Sequence, residues 1–400
     1  MRFKLKYFSL ALIAGLSLNS QMVRAQESNV YRPLAITTAV PFMLIAPDAR
    51  GGSMGETGVA TDPDVNSMHW NPAKYAFIDK QMGFSVSYSP WLKELVDDIG
   101  LGYLTGYYKL DKRQTIAGSL RYFSLGEIQF TDASGADKGI YKPNEFTIQG
   151  TYSRLFTDHL SGAVSAKFIY SNLTQGQSVG SGNVETHAGT SVAADVSIYY
   201  RKPIDFSSGQ SGQFALGVNI ANIGSKISYT SDIEKDFIPT QLRIGPAFTY
   251  NIDNFNTITG TVEFTKLLVP TPPIYDTGVD VNNETPILRG MNDNVSVFQG
   301  MLQSFYDAPD GFSEELKEIT WAVGVEYWYN KQFAIRGGYH HESADKGDRK
   351  FFTFGAGLRY NVFGLDFSYL VSTDQRNPLD NTLRFSLTFD MDAFKAQESK

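Results

Sequence analysis

Phe352-Thr353-Phe354-Gly355-Ala356-Gly357-Leu358-Arg359-Tyr360 alternates apolar with small or polar side chains, residue by residue. Successive side chains of a strand point to opposite faces. One face of this stretch therefore carries Phe352, Phe354, Ala356, Leu358 and Tyr360, and the other carries Thr353, Gly355, Gly357 and Arg359. The pattern recurs at Phe214, Leu216, Val218 and Ile220 against Ala215, Gly217 and Asn219. It recurs again at Leu383, Phe385, Leu387 and Phe389 against Arg384, Ser386 and Thr388. A strand that closes a transmembrane barrel needs such a pattern, with lipid on one side and a polar lumen on the other.

Working outward, alternation predicts strands near 82–90, 99–110, 115–125, 146–155, 161–172, 191–201, 213–222, 241–251, 257–267, 320–329, 332–341, 351–361, 363–372 and 382–390. These fourteen segments make an even number, as bacterial single-chain barrels have. The gaps alternate in length. Asp111–Gln114, Phe156–Leu160, Ile252–Asn256, Asn330–Lys331 and Val362 are tight, and Lys202–Gly212 is a longer, Ser- and Gly-rich connection. The other set is mostly long: 126–145, 173–190, 223–240, 268–319, 342–350 and 373–381. Outer-membrane barrels keep short turns in the periplasm and long loops outside, so both termini are expected in the periplasm. The fold class is all-β, a transmembrane outer-membrane β-barrel of about 14 antiparallel strands.

Composition agrees. Charged residues are 19% of the chain, below the usual ~25%, and aromatics reach 14%, with 28 Phe and 22 Tyr to supply lipid-facing bands and girdles. Arg2, Lys4 and Lys6 precede an apolar run from Phe8 to Leu18, and Val23-Arg24-Ala25 ends in a small residue. This predicts a signal peptide over residues 1–25; the run is shorter than the ~20 residues a membrane-spanning helix requires. The chain's charge of −7 becomes −11 once the four basic residues Arg2, Lys4, Lys6 and Arg24 are removed. That balance, with no basic patch, argues against nucleic acid as a partner. Cys is absent, so disulfides and thiolate metal sites are excluded.

Residues 26–81 do not alternate. They hold the run Ala49-Arg50-Gly51-Gly52-Ser53-Met54-Gly55-Glu56-Thr57-Gly58-Val59-Ala60 and then Met68-His69-Trp70-Asn71-Pro72-Ala73. Glycines permit tight turns and Asn-Pro marks one; the segment is expected to fold into the lumen as a plug. The connection 268–319 is too long for an ordinary loop. It opens with the stiff Val269-Pro270-Thr271-Pro272-Pro273, and Phe312–Lys317 is expected to form a short helix capped by Ser313. Trp91, Leu92, Leu95 and Val96 share a helical face, suggesting an interfacial helix. Residues 391–400 are expected to form a periplasmic tail.

Chemical motifs are weak. Gly51-Gly52-Ser53-Met54-Gly55 matches the hydrolase nucleophile elbow, but its flanks read as neither buried strand nor helix. Asp62-Pro63-Asp64-Val65-Asn66 begins like a calcium loop, yet Ser67 stands where the Gly is needed and Ala73 where the bidentate acid is needed. Adjacent His340 and His341 point to opposite sides of a strand and cannot easily clasp one metal. Lys167, Glu326, Arg359, Asp366 and Arg384 fall on the lumen face, where a mutually paired polar network is expected. The chain reads as no enzyme, with no cofactor and no metal.

The Ala-Arg…Met-Gly…Val-Ala run, followed by Asn71-Pro72-Ala73 and fourteen strands, resembles the FadL-like outer-membrane proteins. With Val40-Pro41-Phe42-Met43-Leu44-Ile45-Ala46-Pro47-Asp48-Ala49-Arg50 it is similar, more narrowly, to the PorV family of the type IX secretion system. The resemblance implies a fourteen-stranded barrel over 82–390 with a plug motif at Ala49, Arg50, Gly51, Met54, Gly55, Asn71, Pro72 and Ala73. It implies as partners the lipid bilayer, the type IX translocon barrel, a surface signal peptidase or sortase-like protein, and cargo proteins with a C-terminal sorting domain. The expected role is to take cargo from the translocon to the attachment complex. Extracellular loops, chiefly 268–319 and 223–240, would supply the contacts, with Pro270, Pro272, Pro273, Phe305, Tyr306 and Phe312 assigned to binding. The alternatives are a FadL-like transporter of small hydrophobic molecules and, less favoured, a lipid A deacylase using Ser53.

Overall fold

A sheet with edges leaves rows of backbone N–H and C=O groups unpaired, which a bilayer does not tolerate; closure removes the edges. Fourteen antiparallel strands close in this way. The computed structural model describes residues 30–31, 35–92, 98–131, 135–177, 184–207, 209–230, 235–276, 285–374 and 377–392. The barrel strands are β1 Met82–Pro90, β2 Gly100–Lys109, β3 Gln114–Ser124, β4 Asn144–Leu155, β5 Leu160–Asn172, β6 Gly189–Asp205 and β7 Ser211–Gly224. They continue with β8 Gln241–Asn251, β9 Asn256–Leu267, β10 Thr320–Tyr329, β11 Phe333–His341, β12 Lys350–Tyr360, β13 Phe363–Ser372 and β14 Leu383–Asp390. Each pairs with its neighbours in sequence, and β14 closes onto β1 in the register Phe385↔Tyr88 to Asp390↔Gly83.

The alternation sorts the faces as expected. Every strand exposes apolar side chains outward, from Val86 on β1 to Leu387 on β14, while Thr353, Arg384, Ser386, Asp366 and Glu326 are buried inside. Strand ends agree closely with the sequence reading except at β6 and β7. Lys202–Asp205 continues β6, pairing with β7 as far as Asp205↔Ser211, so the expected Lys202–Gly212 connection shrinks to 206–210. Pro203 falls within this extension, paired with Gln213, as a proline can in a ladder where its missing N–H faces away from the neighbouring strand. At one of the short turns Asn330 and Lys331 both take left-handed φ of 52°, as tight hairpins require.

The long connections share the other end of the barrel. The one between β3 and β4 contains a hairpin, Ile128–Thr131 with Asp137–Tyr141. The connection 268–319 carries two helices, α3 Val297–Gln303 and α4 Phe312–Lys317, and a small sheet in which Ile274–Asp276 pairs with Ile287–Arg289. Ser296 caps α3. Gly311, not Ser313, is the N-cap of α4: a left-handed Gly311 at φ 70° starts the helix two residues early, placing Ser313 inside it.

Val30–Tyr31 adds to the small sheet of the long connection, pairing with Asp276 and Tyr275. Lys80, by contrast, is hydrogen-bonded to Asp390 at the short-turn end of the barrel. Residues Val30–Tyr31 thus lie against the small sheet of the long connection, while Lys80 lies beside the short turns. The signal peptide 1–25, residues 93–96 of the suggested interfacial helix, and 393–400 of the tail lie outside the described residues.

Candidate functional site

Between the two ends the chain runs through the lumen. Its two short helices, α1 Ala49–Gly52 and α2 Ser67–Trp70, and the 3-10 turn Pro72–Phe77 are almost wholly buried. Asp48 joins the first two, its carboxylate accepting the Gly51 N–H at 2.9 Å and the Trp70 indole N–H at 2.6 Å. The segment touches strands around the whole wall. Ala49 N–H donates to Ser386 on β14, Gly55 N–H to Thr353 on β12, and Gly58 and Val59 N–H to Glu263 on β9. The Ala73 carbonyl accepts from Ser153 on β4 and Ser161 on β5.

Close approach is possible because the wall is bare where the segment lies. A Cβ at Gly217, Gly324, Gly338 or Gly355 would collide with Val59, Met54, Gly55 or Ser53 respectively. Glycine inside a strand marks such an approach of another backbone. Gly55 itself sits at φ 72°, a conformation side chains resist.

Charge fixes the register. Arg50 clasps Glu326 on β10 with two bonds, 3.0 and 2.7 Å, and reaches Asp64 at 2.9 Å. Arg336 on β11 bridges Glu326 at 2.6 Å and Asp366 at 2.8 Å, and Arg359 meets Asp366 at 2.7 Å. Elsewhere Arg384 pairs with Glu56 at 2.5 Å and Lys167 with Asp195 at 3.0 Å. All five lumen charges singled out in the sequence find partners. The partners Arg336, Asp195 and Glu56 were missed; the first two stand at inward positions of β11 and β6, so the alternation itself carried the signal.

The other predicted residues divide clearly. Among the plug-motif residues, Asn71 caps the 3-10 turn by accepting the Ala73 N–H, and its amide donates to the Val59 and Ile198 carbonyls. Pro72 begins that turn, Gly51 lies under the Trp70 ring, and Met54 is fully buried. In the long connection Pro270 and Pro273 are buried, Pro270 against Gly300 and Pro273 against Gly290, and Pro272 is half-buried. Phe305, Tyr306 and Phe312 are exposed, and so are Phe298, Leu302 and Leu316, which sequence reasoning missed. The i, i+4 pairs Phe298/Leu302 and Phe312/Leu316 were readable as helix stripes.

These apolar side chains sit on a rigid base. Lys266, at the end of β9, bonds Glu315 at 3.0 Å and Glu318 at 2.7 Å, while Lys346 bonds Glu314 at 2.7 Å and Glu318 at 3.0 Å. Glu315 also accepts the Ala308 N–H, and Glu318 accepts the Thr271 hydroxyl. Asp307 accepts the Thr271 N–H at 3.1 Å, and burial pushes its carboxyl up to about 6.

The weighed chemical motifs are structural. Ser53 is buried and its hydroxyl donates to the Arg50 carbonyl. Asp64 serves Arg50. His340 turns inward to the Gly55 carbonyl while His341 stacks on Trp321. Among the described residues no group of three or more His, Asp or Glu is placed to hold a metal.

A family model, "Type IX secretion system protein PorV", matches residues 26–274, more than half of the chain. No curated protein matches in a sequence search. Similar solved structures include the Pseudomonas putida toluene transporter TodX (10% identity, TM-score 0.46, covering 84% of this chain and 95% of that one). A Pseudomonas aeruginosa FadL homologue is also similar (11% identity, TM-score 0.43, covering 90% and 100%).

Proposed function

The chain belongs to the PorV family of type IX secretion system proteins of the outer membrane, and on that premise we propose that it receives secreted cargo on the helices of its long loop. In this reading the cargo's C-terminal sorting domain leaves the translocon barrel, docks on the surface of α3 and α4, and is passed to a sortase-like attachment protein outside. The lumen segment acts as a plug, and the long loops face the cell exterior.

One observation carries the reading. Phe298 is 73% exposed, Leu302 69% and Phe312 75%, with Phe305, Tyr306 and Leu316 beside them in sequence. Large apolar groups left in water on a stiff support mark interaction sites. Burying one such side chain contributes about 1.5–3 kcal/mol, so a few suffice for a specific yet reversible hand-over. Pro270, packed against Gly300 of α3, and Pro273, packed against Gly290, would shape the platform rather than touch cargo. The test is a variant with Phe298, Leu302, Phe312 and Leu316 changed to Ser, expressed in the native outer membrane. Cargo should accumulate undelivered while the barrel still migrates as a folded species on unheated gels. Normal surface delivery by that variant would refute the docking role.

A further inference from the structure

Among the described residues two buried lumen cations meet no carboxylate within 4.0 Å: Lys74, whose ammonium is held by the Gly58 carbonyl and the Thr61 hydroxyl, and Arg121. Arg121, on β3, is 5% exposed and meets no carboxylate within 4.0 Å among the described residues. Its guanidinium donates to the Phe42 and Met43 carbonyls at 3.3 and 2.7 Å and contacts His69 Nδ1 at 2.7 Å. A guanidinium has five N–H donors, so donors remain. Desolvating a cation without a counter-charge costs several kcal/mol, and unlike Lys74, whose ammonium is held by oxygen acceptors of its own segment, Arg121 also faces a histidine.

The same place shows a second conflict. His69 Nε2 lies 3.2 Å from Arg243 Nη2 while Nδ1 faces Arg121. A neutral imidazole has one acceptor nitrogen, so one of its two ring nitrogens must point an N–H at an arginine donor. Beside this cluster is a polar cavity lined by His69, Tyr103, Arg121, Gln149, Lys167 and Asn222, among others, with about 20 Å³ open to the centre of a water-sized sphere. One water needs roughly 10–15 Å³ on that measure, so the space suits one or two small species and not a chain-like ligand. The Tyr103 hydroxyl, buried, has no hydrogen-bond partner among the described residues. A β-bulge in β7 between Ile220 and Ile223 shapes the wall and turns Asn222 to Lys167 and Asp195. Bulges often re-aim side chains at ligand sites. Asp195 is already engaged by Lys167, Gln149 and the Asn222 N–H, and so leaves Arg121 uncompensated.

We infer that this cavity is a binding site for a small monoanion of halide size, held by Arg121 with Lys167 and the Tyr103 hydroxyl around it. The ion balances Arg121 and relieves the donor-to-donor contact at His69, which ties the lumen segment to β3 and β8. The site is independent of the docking reading above.

The experiment uses the full barrel, with chloride replaced by bromide for crystallography and by gluconate, too large for the cavity, for thermal unfolding at constant ionic strength. The expected result is an anomalous bromide peak in the cavity beside Arg121, and an unfolding midpoint that rises with chloride concentration but not with gluconate, as ligand linkage requires. Arg121→Gln should lose the chloride-dependent shift and Arg121→Lys should keep part of it. Bromide found only at surface lysines, or an equal chloride response in wild type and Arg121→Gln, would overturn the site. Should Arg121→Gln fail to fold, the presence or absence of the bromide peak in the wild-type barrel decides alone.

Discussion

Glu326 stands between two arginines, Arg50 of the lumen segment and Arg336 of the wall, each within 3.0 Å. Its worth lies in registry: removing the carboxylate leaves two buried cations facing each other. Breaking a buried pair in this way costs about 3–5 kcal/mol, so Glu326→Ala is expected to lower the thermal stability of the barrel by that order, read from the temperature at which the folded gel species is lost. The wall glycines make a steric claim of the same kind. Gly338→Val would drive a side chain into Gly55 and Met54, and the lumen segment of that variant should become cleavable by added protease while wild type resists. The sequence announced the charges Lys167, Glu326, Arg359, Asp366 and Arg384 through alternation alone. It did not announce who pairs with whom, because pairing depends on strand tilt and on where an irregular segment threads, which no periodicity encodes. Arg121, His69 and Arg243 went unnoticed for the same reason.

The strands were readable because lipid and lumen impose opposite demands on adjacent residues, and the largest extension was at β6 and β7, into a proline and a Ser/Gly cluster. The long loop was harder. Its helix α4 was seen, but its cap was misassigned, since Gly311 offers a left-handed start that composition alone did not rank above Ser313. Helix α3 was not seen at all, being only Val297–Gln303. Asp307 gives this loop a pH response. Its carboxyl is raised from 3.8 to about 6, foremost by burial, so the folded loop favours the protonated form. The stabilisation is complete below the ordinary carboxyl range and is lost as pH rises through about 6. Hydrogen exchange at the loop amides of 285–319 should therefore speed up across roughly pH 5–7 beyond the intrinsic rate. Asp307→Asn, which keeps an acceptor for the Thr271 N–H, should abolish the excess; an unchanged excess in that variant would assign the response elsewhere.

At the scale of the whole molecule, a closed fourteen-stranded wall surrounds a segment that bonds to strands on every side. Such a barrel is expected to be electrically silent in a planar bilayer, and deleting residues 39–78 should open a steady conductance if the wall survives. At the rim the long loop presents the exposed apolar side chains of its two helices. The most direct measurement is a titration of purified barrel in detergent with an isolated C-terminal sorting domain, comparing wild type with the variant carrying Ser at Phe298, Leu302, Phe312 and Leu316. Saturable binding by wild type and at least a hundredfold weakening in the variant, about 2.7 kcal/mol, is the predicted result. Equal affinity for both proteins, each still a folded barrel, would contradict the claim that these helices are the cargo-docking surface.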